Sequence, residues 1–264
     1  MMLGGESVKT SSLKGKVSAE EWRARVELAA AYRLVAHWGW TTLIYNHISA
    51  RVPGVEDQFL LNPLGLAYEE ITASSLVKVD LDGRILLQPD HGLGVNHLGF
   101  IIHSAIHGAR HDLTCVAHTH TVANEAVSAT EGGLLPLSNS AMLVLPQVRY
   151  HEWEGPSDDP DERARIVQHL GDGDMLILRH HGLLVGGRTV GEAMRHLWFL
   201  ERACEVQVAI LSSGSPTPPP QAALRKAEAV AANSKQRRSA SAGASPEWPA
   251  LLRLADKIDA SYAT

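Results

Sequence analysis

Apolar positions along this chain switch between two periods. Val26, Ala29, Ala30, Leu34 and His37 fall at helical spacing behind Ser18, and Ser18 with Glu21 three residues later is a capping-box signature for a helix start. Gly39 stops that run. The period then drops to two. Residues 44–52, 58–62, 76–80 and 84–88 are short, aliphatic or β-branched, and Pro53-Gly54, Pro63 with Gly65, and Asp82-Gly83 separate them. Each reads as a strand, and Asp-Gly between two such runs predicts a hairpin.

From Leu98 the helical period returns. Leu98, Ile101, Ile102, Ala105, Ile106 and Ala109 share one face, and His103, His107 and His111 share the opposite one. No glutamate accompanies those histidines as it would in a zincin helix, so they read as a solvated or interfacial stripe. Residues 113–121 read as a strand and 122–130 as a short helix ended by Gly132-Gly133. Residues 160–170 read as an acidic-to-basic helix, 175–179 as a buried strand and 182–187 as an extended continuation. Thr189 and Glu192 form a second capping box that opens a long helix through Trp198, Cys204 and Ile210. Ser, Gly and Pro then break the pattern. The expected organisation is a flexible arm (1–17), one α/β domain (18–212), a Pro/Ala/Ser-rich linker (213–246) partly helical, and a C-terminal docking segment (247–264).

Composition narrows the chemistry. A net charge of -5 argues against a basic surface for nucleic acid. Two cysteines, Cys115 and Cys204, exclude a disulfide scaffold or a thiolate-built zinc finger. No run approaches the roughly 18 to 20 apolar residues a membrane helix needs. The first residues are polar, unlike a signal peptide. The expectation is therefore a cytoplasmic protein with a small-molecule partner, and with neither nucleic acid nor membrane as partner. One count stands out: 14 histidines, as many as Phe, Trp and Tyr combined.

Seven of those 14 lie between His91 and His120. In Ala117-His118-Thr119-His120-Thr121, strand alternation turns His118 and His120 to one side, where two imidazoles can close on one cation, and turns Cys115 to the other. Arg179-His180-His181-Gly182 offers a third ligand, with Gly182 permitting close backbone approach. Three histidines with an open position are the pattern of a catalytic rather than a structural ion. His37, His151, His169 and His196 are isolated and carry no spacing signal. Trp153 and Trp198 read as packing residues.

Several collinear segments resemble the class II aldolase/adducin family, in particular its adducin-like bacterial branch. They are Gly39-Trp40-Thr41-Thr42-Leu43-Ile44-Tyr45-Asn46-His47-Ile48-Ser49, Ile71-Thr72-Ala73-Ser74-Ser75-Leu76, Val116-Ala117-His118-Thr119-His120-Thr121, Gly133-Leu134-Leu135-Pro136 and Leu178-Arg179-His180-His181-Gly182-Leu183. The resemblance spans residues 20–212. It implies an α/β/α sandwich with a central, mainly antiparallel sheet. It also implies a divalent metal on His118, His120 and His181, and a homotetramer with active sites at subunit interfaces. Zinc is the first expectation, with Mn, Co or Fe as alternatives. His180, beside His181 on extended backbone, faces the other way and would pack or support.

The departures matter as much. Sugar-phosphate aldolases of the family carry a glutamate that binds the resting metal and acts as base; the matching position here is Gly99, and no acid lies between His91 and Arg110. Their phosphate-binding Gly-Asn-Ile-Ser and Thr-Pro-Ser-Gly become Asn46-His47-Ile48-Ser49 and Asn62-Pro63-Leu64-Gly65, and a Ser-Ser pair becomes His97-Leu98. A phosphorylated sugar does not suit these changes. The expectation is a metal-dependent carbon–carbon lyase, a decarboxylase or retro-aldolase, for a small non-phosphorylated hydroxy- or keto-acid. His97, His91 or Tyr262 would protonate the carbanion, and His47, Arg51 and Asn62 would receive the substrate. The alternatives are a non-catalytic adducin-like oligomeric interaction module and an Fe(II) oxygenase on the same three histidines.

Overall fold

A computed structural model describes residues 10–155, 160–240 and 245–264. Helix α1 (Ala19–His37) leads into a four-strand meander, β1 (His47–Arg51), β2 (Gln58–Leu61), β3 (Val77–Asp80) and β4 (Ile85–Leu87). Then follow α2 (His97–Ala109), β5 (Cys115–Thr119), α3 (Val122–Ser128), α4 (Asn139–Val144) and β6 (Val148–His151). The chain continues through α5 (Pro160–Leu170), β7 (Met175–Leu178), β8 (Gly182–Gly187), α6 (Val190–Ser213), α7 (Gln221–Ala240) and α8 (Trp248–Asp259). One open eight-stranded sheet runs β4-β3-β2-β1-β5-β8-β7-β6. Every pairing in it is antiparallel except β6 with β7.

The central strands β5, β7 and β8 are buried on both faces, whereas edge strand β4 is exposed, so each face of the sheet's middle has its own apolar layer. Cys115 and Ala117 of β5 join α1, α3, α4, α6 and α8 in the larger core. Val116 points the other way, with Leu176 and Leu184, onto Ile106 of α2 and Ile166 and Leu170 of α5. Helices on both sides of a mainly antiparallel sheet match the architecture expected. Local signals acted as anticipated: Ser18 Oγ and Thr189 Oγ1 cap α1 and α6, and Gly83 turns the β3–β4 hairpin with φ +85°.

Two expectations need correction. His103 and His107 are fully buried; only His111 of that stripe is exposed. Helix α2 lies over the sheet and also against α5, so its polar side is as enclosed as its apolar side. The two imidazoles satisfy that burial through Ser49, whose hydroxyl lies 2.6 Å from His103 Nδ1 and 2.8 Å from His107 Nε2. The described part of the N-terminal arm is tied down, Ser11 donating to Asp90 and Leu13 to Ser74; residues 1–9 lie outside the described part. The sequence also carries no periodic signal for α4 or β6.

Candidate metal centre

Strands β1 and β5 place His47 opposite His118 and Ser49 opposite Val116. Alternation therefore turns His47 and His118 together toward α2 and α5, and His120 follows just past the strand end. His181 arrives on the tight connection between β7 and β8. A Cβ at Gly182 would overlap the carbonyl oxygen of Thr119 and lie 2.8 Å from His120 Cδ2, so only glycine brings this turn so near β5. The three rings gather with centroids 4.4, 4.6 and 4.9 Å apart. One ligating nitrogen from each lies within 4.8 Å of the others.

The protonation pattern suits a cation. His118 Nδ1 is 2.7 Å from the Leu183 carbonyl and can only donate to it, which leaves the Nε2 lone pair facing the cluster. Burial, then the neighbouring histidines, holds His118 well below its usual pKa and His120 at about 4. Burial also lowers His181, with the Glu162 carboxylate opposing it. Neutral imidazoles with converging lone pairs and an open side are what a catalytic divalent ion takes. The residues fit the metal. His180 corrects the expectation of extended backbone: it holds a left-handed φ of +55° in the turn between β7 and β8, exposed, and lines the cavity beside the cluster.

The other face of β5 is anchored. Thr119 Oγ1, Thr121 Oγ1 and Asn124 Nδ2 all donate to the Glu201 carboxylate of α6, at 2.5, 2.8 and 2.8 Å. Alternate residues thus serve two tasks: 118 and 120 face the cluster, while 119 and 121 hold its position.

The cluster opens into a cavity of about 470 Å³ between the sheet edge, α2 and α5. Asn46 and His47 form part of its wall, both 2% exposed. Neither the Asn46 amide atoms nor the two His47 ring nitrogens have a hydrogen-bond partner among the described residues. Asn46 also holds a φ of +73°, in the left-handed region that asparagine enters more readily than most residues. Burial pushes His47 down to about 4, so it is a neutral imidazole. It occupies the space a side chain at position 99 would take: a Cβ on Gly99 would stand 2.8 Å from His47 Nε2 and nearer still to Cε1 and Nδ1.

The structure brings His118, His120 and His181 together with His47 beside them; other expected site residues do not join them. Arg51 sits at the far end of β1, donating to the carbonyls of Glu56 and His107, because the strand carries it away from His47. Asn62 lies on the α1 side and accepts from the Tyr32 hydroxyl at 2.8 Å. His97 is exposed and stacked on Phe100, its ring centroid 6.2 Å away. His91 uses both ring nitrogens, one on the Ser75 carbonyl and one on the Leu93 amide. Tyr262 is buried in the larger core across the sheet, with its hydroxyl donating to Asp256 at 2.6 Å. Trp153 is exposed at the cavity wall, whereas Trp198 packs against Trp38 and Trp40.

Spacing missed other residues. His151, at the end of β6, and Glu162, in the first turn of α5, both line the cavity. His151 Nδ1 lies 2.7 Å from His169 Nδ1, a pairing of residues 18 apart on different elements that no local pattern reveals.

A helix-flanked sheet with a three-histidine cluster at one end of its middle strands defines a class of α/β protein with a candidate metal site, and comparison with known proteins gives its lineage. Residues 26–208 match the Class II Aldolase and Adducin N-terminal domain, and the chain belongs to that family. A Caulobacter vibrioides protein bearing a class 2 aldolase designation is 46% identical over 259 residues, 97% of this chain and 98% of its own. Rat alpha-adducin is 43% identical over 243 residues, which are 89% of this chain but 33% of adducin. Among solved structures, an aldolase II superfamily protein from Pseudomonas syringae superposes with a TM-score of 0.87 at 46% identity, covering 96% of this chain and 100% of its own. The L-fuculose 1-phosphate aldolase of Glaciozyma antarctica superposes with a TM-score of 0.76 at 25% identity, covering 95% of each chain. Among the described residues no helix is long and apolar enough to cross a membrane.

Proposed function

We propose that this chain is a divalent-metal-dependent carbon–carbon lyase for a small, non-phosphorylated hydroxy- or keto-acid. The observation that carries it is the convergence of three neutral imidazoles on an open cavity whose wall holds further buried polar atoms without partners among the described residues. Zinc is the first choice of ion, with Mn, Co or Fe as alternatives. Bound by His118, His120 and His181, the ion would polarise substrate oxygens and favour the enolate left by carbon–carbon cleavage. Asn46 and His47 would hold the substrate: the amide offers donors and an acceptor, and the neutral imidazole one of each. A phosphorylated substrate fits poorly, because the cation lining the cavity among the described residues, Arg179, already serves the Thr130 and Glu131 carbonyls and the Glu152 carboxylate.

The test is metal content and turnover together. The purified protein should hold about one divalent ion per chain, and His118→Ala or His181→Ala should lose it. A screen of hydroxy- and keto-acids with Zn, Mn, Co and Fe should release carbon dioxide (decarboxylase) or an aldehyde (retro-aldolase). Dioxygen consumption with Fe(II) would indicate an oxygenase instead. A chain that neither holds nor gains metal, yet self-associates, would favour the interaction-module reading that kinship with alpha-adducin supports. A homotetramer with interfacial sites and a cytoplasmic location belong to the same proposal; sedimentation measures the assembly.

A further inference from the structure

A cavity that handles enolates needs a group to take up and return a proton. Helix α2 cannot supply it here: its first turn carries no acid, and His47 fills the space beside Gly99. Two carboxylates line the cavity among the described residues, Glu152 and Glu162. The Glu152 side chain is 80% exposed and pairs with Arg179 at 3.8 Å. The Glu162 side chain is 15% exposed and comes from α5, on the wall opposite α2.

Glu162 is also aligned from behind. His151 Nε2 lies 3.6 Å from Glu162 Oε1 and 3.9 Å from Glu154 Oε1. Glu154 is already bound by the Arg165 guanidinium at 2.5 to 2.9 Å, which leaves Glu162 the less compensated of the two. Two carboxylates in front of Nε2 favour its carrying the proton, since a lone pair there would face negative charge. His151 Nδ1 must then accept, and His169 Nδ1–H donates to it across 2.7 Å. The order His169, His151, Glu162 leads to the cavity: its first step is a hydrogen bond, while the 3.6 Å approach of His151 Nε2 to Glu162 is a charge contact and not a hydrogen bond.

We propose that Glu162 is the proton-transferring carboxylate of this site, with His151 and His169 as positioning residues. This rests on the lyase reading above. In aldol cleavage, Glu162 accepts the substrate hydroxyl proton as the carbon–carbon bond breaks, the bonding pair enters the enolate, and an aldehyde leaves. The Glu162 carboxyl then returns that proton to the enolate carbon, restoring the carboxylate with no net gain or loss. Run on the released ketone alone, the last step reversed exchanges its carbon-bound protons with solvent.

That exchange is the experiment. Zinc-loaded protein in D₂O is given pyruvate or hydroxyacetone, and loss of the C–H signal is followed by NMR. Wild type should exchange at least one probe, and Glu162→Gln should slow exchange by about 10²- to 10⁴-fold while zinc stoichiometry stays at the wild-type value. Glu162→Asp should recover part of the rate. His169→Phe should slow it less, and should add nothing to Glu162→Gln. A second readout needs no turnover: ¹⁵N spectra should show His151 as the Nε2–H tautomer. Wild-type exchange that Glu162→Gln leaves intact, or a His151 protonated on Nδ1, overturns the proposal and spares the lyase reading. Wild type that exchanges neither probe with Zn, Mn, Co or Fe bound overturns this proposal, and the lyase reading falls with it only if the acid screen also yields neither carbon dioxide nor aldehyde.

Discussion

At Gly99 the backbone of α2 passes so close to His47 that a single methyl group would have to share the space of the imidazole. Gly99→Ala should therefore cost about 1–3 kcal/mol through overpacking, although alanine is the better helix former. In a His47→Ala background the obstacle is gone, and the same change should be neutral or stabilising by up to about 1 kcal/mol. Urea denaturation of the four variants measures this, and additive effects would contradict the steric coupling. Buried histidines also set an acid limit. Burial holds His47 at about 4 and His107 at about 3. The unfolded chain binds protons on them near pH 6.5, whereas the folded chain does not. Their contribution is thus fully present above about pH 6.5 and declines as pH falls toward 3 to 4. Unfolding midpoints of metal-free protein should fall steeply from pH 7 to 4.5, and His107→Gln should flatten the slope. Spacing could not show this burial: the stripe at 103, 107 and 111 carries polar residue types, and Ser49, which makes two of them acceptable inside, is more than 50 residues away.

For the strand β5, two faces do two kinds of work, and the sequence displays only one of them plainly. His118 and His120 stand out by chemistry and spacing. Glu201, which fixes the strand from behind through Thr119, Thr121 and Asn124, is one of three acids on a long helix and has no spacing that marks it out. Glu201→Ala removes the acceptor for three buried donors and should cost ~3 kcal/mol. It should also weaken zinc binding about 10- to 100-fold, although Glu201 lies across the sheet from the cluster. Zinc competition with a chromophoric chelator measures that effect; unchanged affinity would mean that the histidines are held without the anchor. The same distinction explains the mixed fortunes of the other site residues. The resemblance singled out His47, Arg51 and Asn62 together, but only the paired register puts His47 opposite His118, sends Arg51 to the strand's other end and leaves Asn62 beneath the sheet.

Across the whole molecule, the meander and the capped helices were legible because each depends on local signals: turn glycines, Ser and Thr caps, and aliphatic runs. The docked C-terminus was legible only as an amphipathic stretch. Its partners are scattered through the chain: Arg33 pairs with Asp259, the Ala73 and Ser74 amides donate to the Tyr262 and Thr264 carbonyls, and Trp248 and Ala255 are buried. Because this segment covers the α1 side and the cluster opens on the α2/α5 side, removal of residues 247–264 should separate stability from metal binding. Thermal unfolding should shift down by at least several degrees, while zinc stoichiometry is retained. Loss of both would mean that the C-terminal segment also supports the site.

The close fit of His47 against Gly99 also bears on descent. Since neither position can change size freely without the other, substitutions there must arrive in order: position 47 has to shrink before position 99 can grow. Relatives bearing a carboxylate at 99 should carry a smaller residue at 47, and reconstructed ancestors should reveal which arrangement came first. A lineage that adopted the imidazole would be slow to regain the acid, because the direct reverse step passes through a chain with both bulky groups competing for one volume. A small steric accident in α2 would then act as a historical ratchet.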